Sequence, residues 1–214
     1  MSNIFNDARN KAKEVLGQSV VKELSKKGYE AVYVPTKEEA LKEVLKLIPE
    51  KVSVGVPGAV TIREIGAMEK LKERGCTIYH HWDPSLTPEA RSQMLVDENN
   101  ADYFLTSANA ITRDGMIVNI DGTGNRGSGM AWGRNTLIFV ISVNKVASDL
   151  EAAIERSRTA SPPNSLRLNG NAPCTQTGYC VKCDSPARIC RALLILERPT
   201  RKTHVIMVGE DLGF

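Results

Sequence analysis

Between residues 31 and 100 the chain repeats one unit: a short apolar run, a break at glycine or proline, then a stretch whose apolar residues recur at helical spacing. That succession leaves few options. Strands separated by a helix pair in parallel, and the helices must cover the faces of the sheet. AVYVP (31–35) reads as a strand, and Thr36 with Glu39 forms a T-x-x-E start signal for a helix carrying Ala40, Leu41, Val44, Leu45 and Ile48, closed by Pro49. KVSVGVPG (51–58) is a second strand running into a turn, and TIREIGAMEKLKERG (61–75) is one helix turning Ile62, Ile65, Met68 and Leu71 inward. TIYHHW (77–82) is a third strand, and TPEARSQMLVDENN (87–100) a helix with Pro88 just inside its start. A helix over residues 3–27, ended by Gly28, precedes the repeat. The expectation is an α/β fold with a largely parallel central sheet.

The second half changes rhythm. Two strand-like runs, ADYFLTSANAIT and MIVNIDGTGN, are joined at Arg113-Asp114-Gly115, a hairpin signal. The glycine-rich segment 121–133 reads as a loop packed down by Met130 and Trp132, and LIFVIS (137–142) is the most apolar strand. A helix is expected at about 148–157, a proline- and asparagine-rich loop at 159–173, and a helix capped by Ser185 with Pro186 in its first turn and Cys190 on its body. HVIMV, near the end, is a strand. With no internal repeat of the sequence itself and no low-complexity linker, the organisation is a single domain, 1–214, with an N-terminal helical segment, 1–28, and a cysteine-rich segment, 170–192.

The 214 residues suffice for a full core. Lys and Arg number 28 against 25 Asp and Glu, and aromatics are 5%, so neither charge nor stacking surface argues for nucleic acid. No apolar run reaches the roughly 20 residues of a membrane span, and the N-terminus lacks the apolar core of a secretory signal. A cytoplasmic protein is expected, and in a reducing compartment clustered cysteines are ligands or redox groups before they are structural disulfides.

Four of the five cysteines fall in CTQTGYCVKCDSPARIC: Cys174, the C-x-x-C pair Cys180 and Cys183, and Cys190. This spacing lets the pair hold one ion or cluster while the outer thiols close the coordination, so a metal or iron–sulfur site is favoured over a disulfide or redox pair. Zinc and a cluster both accept four thiolates. Cys76 stands alone and reads as a small buried hydrophobe.

Two further stretches carry candidate chemistry. In VGVPGAVTIREIG (54–66) a Gly/Pro turn opens a helix at the carboxyl end of a strand, where free N–H groups meet an anion. Thr61 caps that helix, and Glu64 is either a first-turn carboxylate favoured by the dipole or a catalytic group. In 121–133 five glycines allow close approach to a ligand, and Asp121, Asn125 and Arg126 offer an acceptor, an amide and a guanidinium for a carboxylate or phosphate. Thr106, Ser107 and Asn109 end the preceding strand and could share that crevice. His80 and His81 are adjacent and point to opposite faces of a strand, so a satisfied surface or core role suits them better than catalysis.

VGVPGAVTIREIG, TSANAIT with DGMIVNIDGTGNR, the four-cysteine segment and the closing VGEDLGF together resemble the LUD-domain proteins, the lactate-utilisation group of the LutC and YkgG type, over about residues 22–214. The resemblance implies a layered fold like that of the NagB, RpiA (ribose-5-phosphate isomerase) and CoA-transferase superfamily. It also implies a link to lactate oxidation by a multi-subunit iron–sulfur system, and hence electron-transfer partner subunits. On this reading Glu64 and Asp121 are catalytic, while Thr61, Thr106, Asn109, Asn125 and Arg126 bind a small carboxylate- or phosphate-bearing substrate. Cys174, Cys180, Cys183 and Cys190 hold a [4Fe–4S] cluster. The alternatives are a zinc-stabilised metabolite-binding protein and an isomerase- or transferase-like enzyme using Glu64. The exact substrate, the electron acceptor and homo-oligomerisation are left open.

Overall fold

Asn3 sets the start of the first helix, its side-chain oxygen accepting the Phe5 N–H at 3.1 Å. A computed structural model describes residues 3–214, so residues 1 and 2 of the expected helical segment lie outside the described residues. Helix α1 (Ile4–Lys27) buries only Gly17, Val20 and Leu24, as its imperfect apolar face implied. Strand β1 (Glu30–Val34) follows, then α2 (Lys37–Leu47), whose cap is the expected Thr36, accepting from Glu39 N–H at 3.3 Å.

After β2 (Ser53–Gly55) the expected single helix is two, α3 (Val60–Glu64) and α4 (Ala67–Glu73). Gly66 between them has φ +70°, a left-handed conformation that interrupts the helical ladder and that glycine adopts freely. Ile62, Ile65, Met68 and Leu71 are nonetheless all buried. Strand β3 (Thr77–Tyr79) is shorter than expected because the chain leaves the ladder at His81, whose N–H donates to the Glu98 carboxylate at 2.7 Å. Helix α5 (Pro88–Asn100) is capped by Thr87.

The run 101–112 divides between two sheets as β4 (Tyr103–Thr106) and β5 (Ala110–Thr112). The hairpin from β5 into β6 (Ile117–Asp121) pairs Ala110 with Val118 and Ile111 with Ile117, as the Asp-Gly turn predicted. The glycine-rich segment is not a loop: it holds α6 (Asn125–Ala131), which buries Met130 and leaves Trp132 75% exposed. Strands β7 (Thr136–Ser142) and β8 (Val146–Ala147) lead to α7 (Leu150–Thr159), capped by Asp149. Where a loop was expected, α8 (Ser161–Arg167) forms with prolines in its first turn, where a missing N–H sacrifices no helical hydrogen bond. Cys174 opens the short α9 (Cys174–Thr177).

No helix follows Ser185. Its side chain and carbonyl accept from Ala187 and Arg188 N–H in a single turn, and Arg191 N–H then donates to the Asp121 carbonyl at 2.8 Å, drawing the chain into β9 (Ala192–Leu196). Strand β10 (Thr203–Val208) ends the regular structure.

The six-stranded sheet has the order β1-β10-β7-β4-β2-β3, parallel throughout. A smaller mixed sheet, β8-β5-β6-β9, lies beside it. The central strands are buried on both faces, as parallel sheets are. Ile138 and Val140 of β7 join Ile62, Leu71 and Leu105 on one side, while Leu137, Phe139 and Ile141 join Val20, Leu24 and Phe104 on the other. Among the described residues no helix is long and apolar enough to cross a membrane.

Helix α5 passes so close to β2 that a Cβ at Gly55 would collide with the Glu98 backbone carbonyl. Gly55→Ala is expected to cost about 1–3 kcal/mol, read as a lower urea midpoint with unchanged m-value. Val96→Ala, at a half-exposed position on the same helix, should stay within about 0.5 kcal/mol.

Candidate functional site

Four neighbouring strands, β10, β7, β4 and β2, end at one edge of the large sheet, and the segments leaving those ends build the site. A crevice of about 250 Å³ lies there, bordered by the Pro57–Gly58 turn, Trp82, Asn109, Asp121, Arg126 and residues of α7 and α8. Arg126 is fixed from below. Its Nε donates to Asp121 Oδ1 at 2.8 Å, and its Nη2 donates to the Ile120 carbonyl at 2.9 Å and to Asn109 Oδ1 at 3.1 Å. The second Asp121 oxygen accepts from Gly127 N–H at 2.5 Å. Asp121 therefore spends both oxygens on holding Arg126 and the start of α6, a positioning role rather than that of a free base. Nη1 of Arg126 has no protein partner among the described residues.

Asn125 accepts from the Thr123 hydroxyl through Oδ1 at 2.8 Å, while its buried Nδ2 has no partner. An orphaned donor at the edge of a crevice is costly unless a ligand supplies the acceptor. Across the opening the Trp82 ring lies between two guanidiniums, Arg63 at 4.4 Å and Arg167 at 3.8 Å. Burial, followed by repulsion from Arg126 and Arg63, pushes the Arg167 pKa down to about 10. Cations that crowd one another in this way repel, and a neighbouring anion would relieve that repulsion. Trp82 Nε1 donates to His81 Nε2 at 2.7 Å, and His81 Nδ1 meets Glu98 Oε1 at 2.6 Å, so both ring nitrogens are engaged. Burial lowers the His80 pKa, and this residue does not line the crevice.

A smaller inner pocket shares Gly58, Asn109, Arg126 and Asn164 with the crevice as lining residues and adds Thr61, Ser107 and Lys145. Lys145 was not anticipated from the sequence. It follows β7 in a 3-10 turn, is 3% exposed, and donates to Thr61 Oγ1 at 3.0 Å and Ser107 Oγ at 3.1 Å. No carboxylate pairs with it among the described residues. Burial first, then the Arg156 and Arg126 charges, push its pKa down to about 7, with Glu64 opposing. One signal was legible: a lone lysine three residues beyond the most apolar strand, at the carboxyl end where α/β sheets bind ligands.

Thr61, Asn109, Asp121, Asn125 and Arg126 are thus brought together. Thr106 is buried and lines neither cavity. Glu64 is exposed at the rim and accepts from Gly213 N–H at 2.6 Å.

The four clustered cysteines also converge. Cys174, Cys180, Cys183 and Cys190 line one narrow, largely apolar cavity, and none is in a disulfide. Burial, reinforced by the other three thiols, pushes the Cys174 thiol up. Arg158, Lys182 and Arg188 line the same cavity, cations suited to offset thiolate charge once a metal has displaced the protons. The donor set fits a thiolate-bound metal centre. However, among the described residues no three His, Cys, Asp or Glu side chains already stand as a metal-ligating group, so the thiols surround the cavity without forming a closed shell. Cys76 is buried apart from them, within reach of the Pro49 carbonyl at 3.3 Å.

The family model described as LUD domain matches residues 17–208. No curated protein matches the chain. Among solved structures, a DUF162-family protein from Deinococcus radiodurans is similar at 14% identity and a TM-score of 0.54, over 92% of this chain and 98% of that one, which speaks for a shared fold alone. Translation initiation factor eIF-2B of Pyrococcus horikoshii OT3 matches 53% of this chain and 48% of its own at 16% identity and a TM-score of 0.37, a likeness too partial to argue from.

The Lys145 environment sets a pH dependence. Between about pH 7, its folded value, and the usual 10.5, the unfolded chain holds a proton that the folded chain has lost, so stability rises with pH across that window. Below it the burial penalty is fully present. Lys145→Met is expected to remove a slope of at most about 1.4 kcal/mol per pH unit, seen by comparing urea midpoints of both proteins across the window.

Proposed function

Because the chain belongs to the LUD-domain family, we propose that it acts in the utilisation of lactate or a related small organic acid, binding a carboxylate- or phosphate-bearing metabolite in the Arg126 crevice beside a metal centre held by Cys174, Cys180, Cys183 and Cys190. The observation that carries this reading is a shared wall. Ser161 and Ile189 border both the crevice and the cysteine cavity, and Gly122 packs against the Ile189 carbonyl. A centre held by the thiols would therefore stand one side chain away from a bound acid. We read the layered fold as NagB-, RpiA- and CoA-transferase-like on the same family grounds.

Within the crevice the division of labour follows from the hydrogen bonds. Asp121 and Asn109 orient Arg126, leaving Nη1 for one anion oxygen, and Asn125 Nδ2 supplies a second donor. A guanidinium held in this way loses little entropy on clamping a carboxylate. Trp82 between its two arginines forms the apolar side of the opening. A [4Fe–4S] centre would supply one-electron transfer; removing two electrons from a hydroxy acid then calls for electron-accepting partner subunits. Zinc in the same thiolates is the second reading, favoured by how little free space separates the thiols, about 10 Å³, close to that of one water-sized sphere.

Anaerobic purification followed by absorption spectroscopy and iron, sulfide and zinc analysis separates these readings. Cys180→Ala and Cys183→Ala are each expected to abolish metal binding, and Cys76→Ala to leave it unchanged. Protein free of iron and zinc, with all four thiols readily alkylated, would replace the metal centre with a redox pair.

Arg126→Ala should weaken binding of a small carboxylate by about 1.5–3 kcal/mol, a ten- to hundredfold fall in affinity, and Arg126→Lys should not restore it fully. Arg134→Ala, at an exposed position beyond α6, is the control. Equal losses from the two alanine variants would reduce Arg126 to a structural tie.

A further inference from the structure

The inner pocket contains a group that binding an acid does not require. Lys145 Nζ sits where the ends of three adjacent parallel strands meet: Thr61 follows β2, Ser107 follows β4, and Lys145 itself follows β7. A lysine kept for structure is expected to be paired with a carboxylate or to reach water with its head. This amine does neither, being 3% exposed and bonded to two hydroxyls. Both hydroxyls can accept from an ammonium, and with a neutral amine one can donate to its single lone pair while the other accepts from its N–H. The nest therefore tolerates loss of the proton, and with two guanidiniums nearby it favours that loss.

Resting on the reading of the crevice as an organic-acid site, we infer that Lys145 Nζ is a nucleophile that captures the carbonyl carbon of a 2-oxo acid whose carboxylate is held at Arg126. Arg126 and Asn109 line both the crevice and the Lys145 pocket, so the group that would hold the anion also borders the amine's pocket. The step balances without an added oxidant or reductant. The Nζ lone pair forms a bond to C2 while the carbonyl oxygen takes up a proton. Loss of one water from the resulting carbinolamine then gives a protonated imine. The Thr61 and Ser107 hydroxyls are placed to pass those protons. Gly213 lies over the amine, where a Cβ would come within 2.8 Å of Nζ, and its N–H is held by Glu64. Segment 209–213 must therefore shift outward to admit the acid, and Glu64 becomes a positioning residue for that strap.

The test is reductive trapping. Intact protein is incubated with pyruvate and cyanoborohydride, and the product is mapped by peptide mass spectrometry. One adduct per chain is expected, on the peptide containing Lys145, lost in Lys145→Met and Lys145→Arg and not formed with lactate in place of pyruvate. Its rate should climb as pH is raised through about 7. The wild-type map stands without the variants if either fails to fold. If pyruvate binds by calorimetry and no adduct forms, or the label falls on other lysines and survives in Lys145→Arg, the nucleophile is refuted while the organic-acid site stands. If neither pyruvate nor lactate binds at all, the crevice reading falls, and this inference with it.

Discussion

The insertion of β10 between β1 and β7 is the constraint on which the rest depends. Every residue of β1 is matched by one of residues 204–208, and β10 pairs with β7 from Thr203 to Val208. The last strand in sequence is thus a central strand in space. The large sheet cannot be completed until the chain's end has been fitted into it, and such non-local pairing must overcome loop-closure entropy before it is rewarded. Val205, Ile206, Met207 and Val208 are fully buried for the same reason, two on each face.

That insertion also delivers the site. Leaving β10, the chain crosses the carboxyl edge of the sheet, where the Ser142 hydroxyl donates to the Glu210 carbonyl and accepts from Leu212 N–H, and where Glu64 takes the Gly213 N–H. Arg156 reaches from α7 to the Asn109 and Phe214 carbonyls. The strap over Lys145 is therefore tied to α3, β7 and α7 together. The second sheet contributes from the other side: β6 ends in Asp121, whose carboxylate fixes Arg126 and whose carbonyl takes Arg191 N–H just after the last cysteine. One aspartate thus couples the anion crevice to the segment that carries the thiols.

The electrostatics of the two cavities are matched. Arg63, Arg126, Arg156 and Arg167 surround the crevice and inner pocket, while Arg158, Lys182 and Arg188 surround the thiols. Both spaces would suit negative charge, as the proposed acid and the proposed thiolate centre require. Carboxylates offset part of this charge, since Asp121 pairs with Arg126, Glu155 with Lys182 and Asp184 with Arg188.

What the sequence determined by itself was whatever depends on near neighbours. The Thr36, Thr87 and Gly28 boundaries, the inward faces of α2 and of residues 62–71, and the hairpin at Asp114-Gly115 all follow from periodicities and caps acting within a few residues. Local rules failed where a distant partner outweighed them. The run 101–112 parted between two sheets, α6 formed through glycines because Gly129 allows the helix to lie against Phe104 and Asn99, and the turn after Ser185 was denied a helix by the pairing that begins at Arg191. Arg126, Asp121 and the four thiols were singled out by residue type, and the fold brings the first two to one crevice and the thiols to one cavity. For Lys145 the one local signal was its place just beyond the most apolar strand; nothing in its neighbours states that its amine will be buried between hydroxyls brought from positions 61 and 107, because only the assembled sheet removes the water that would otherwise keep it charged.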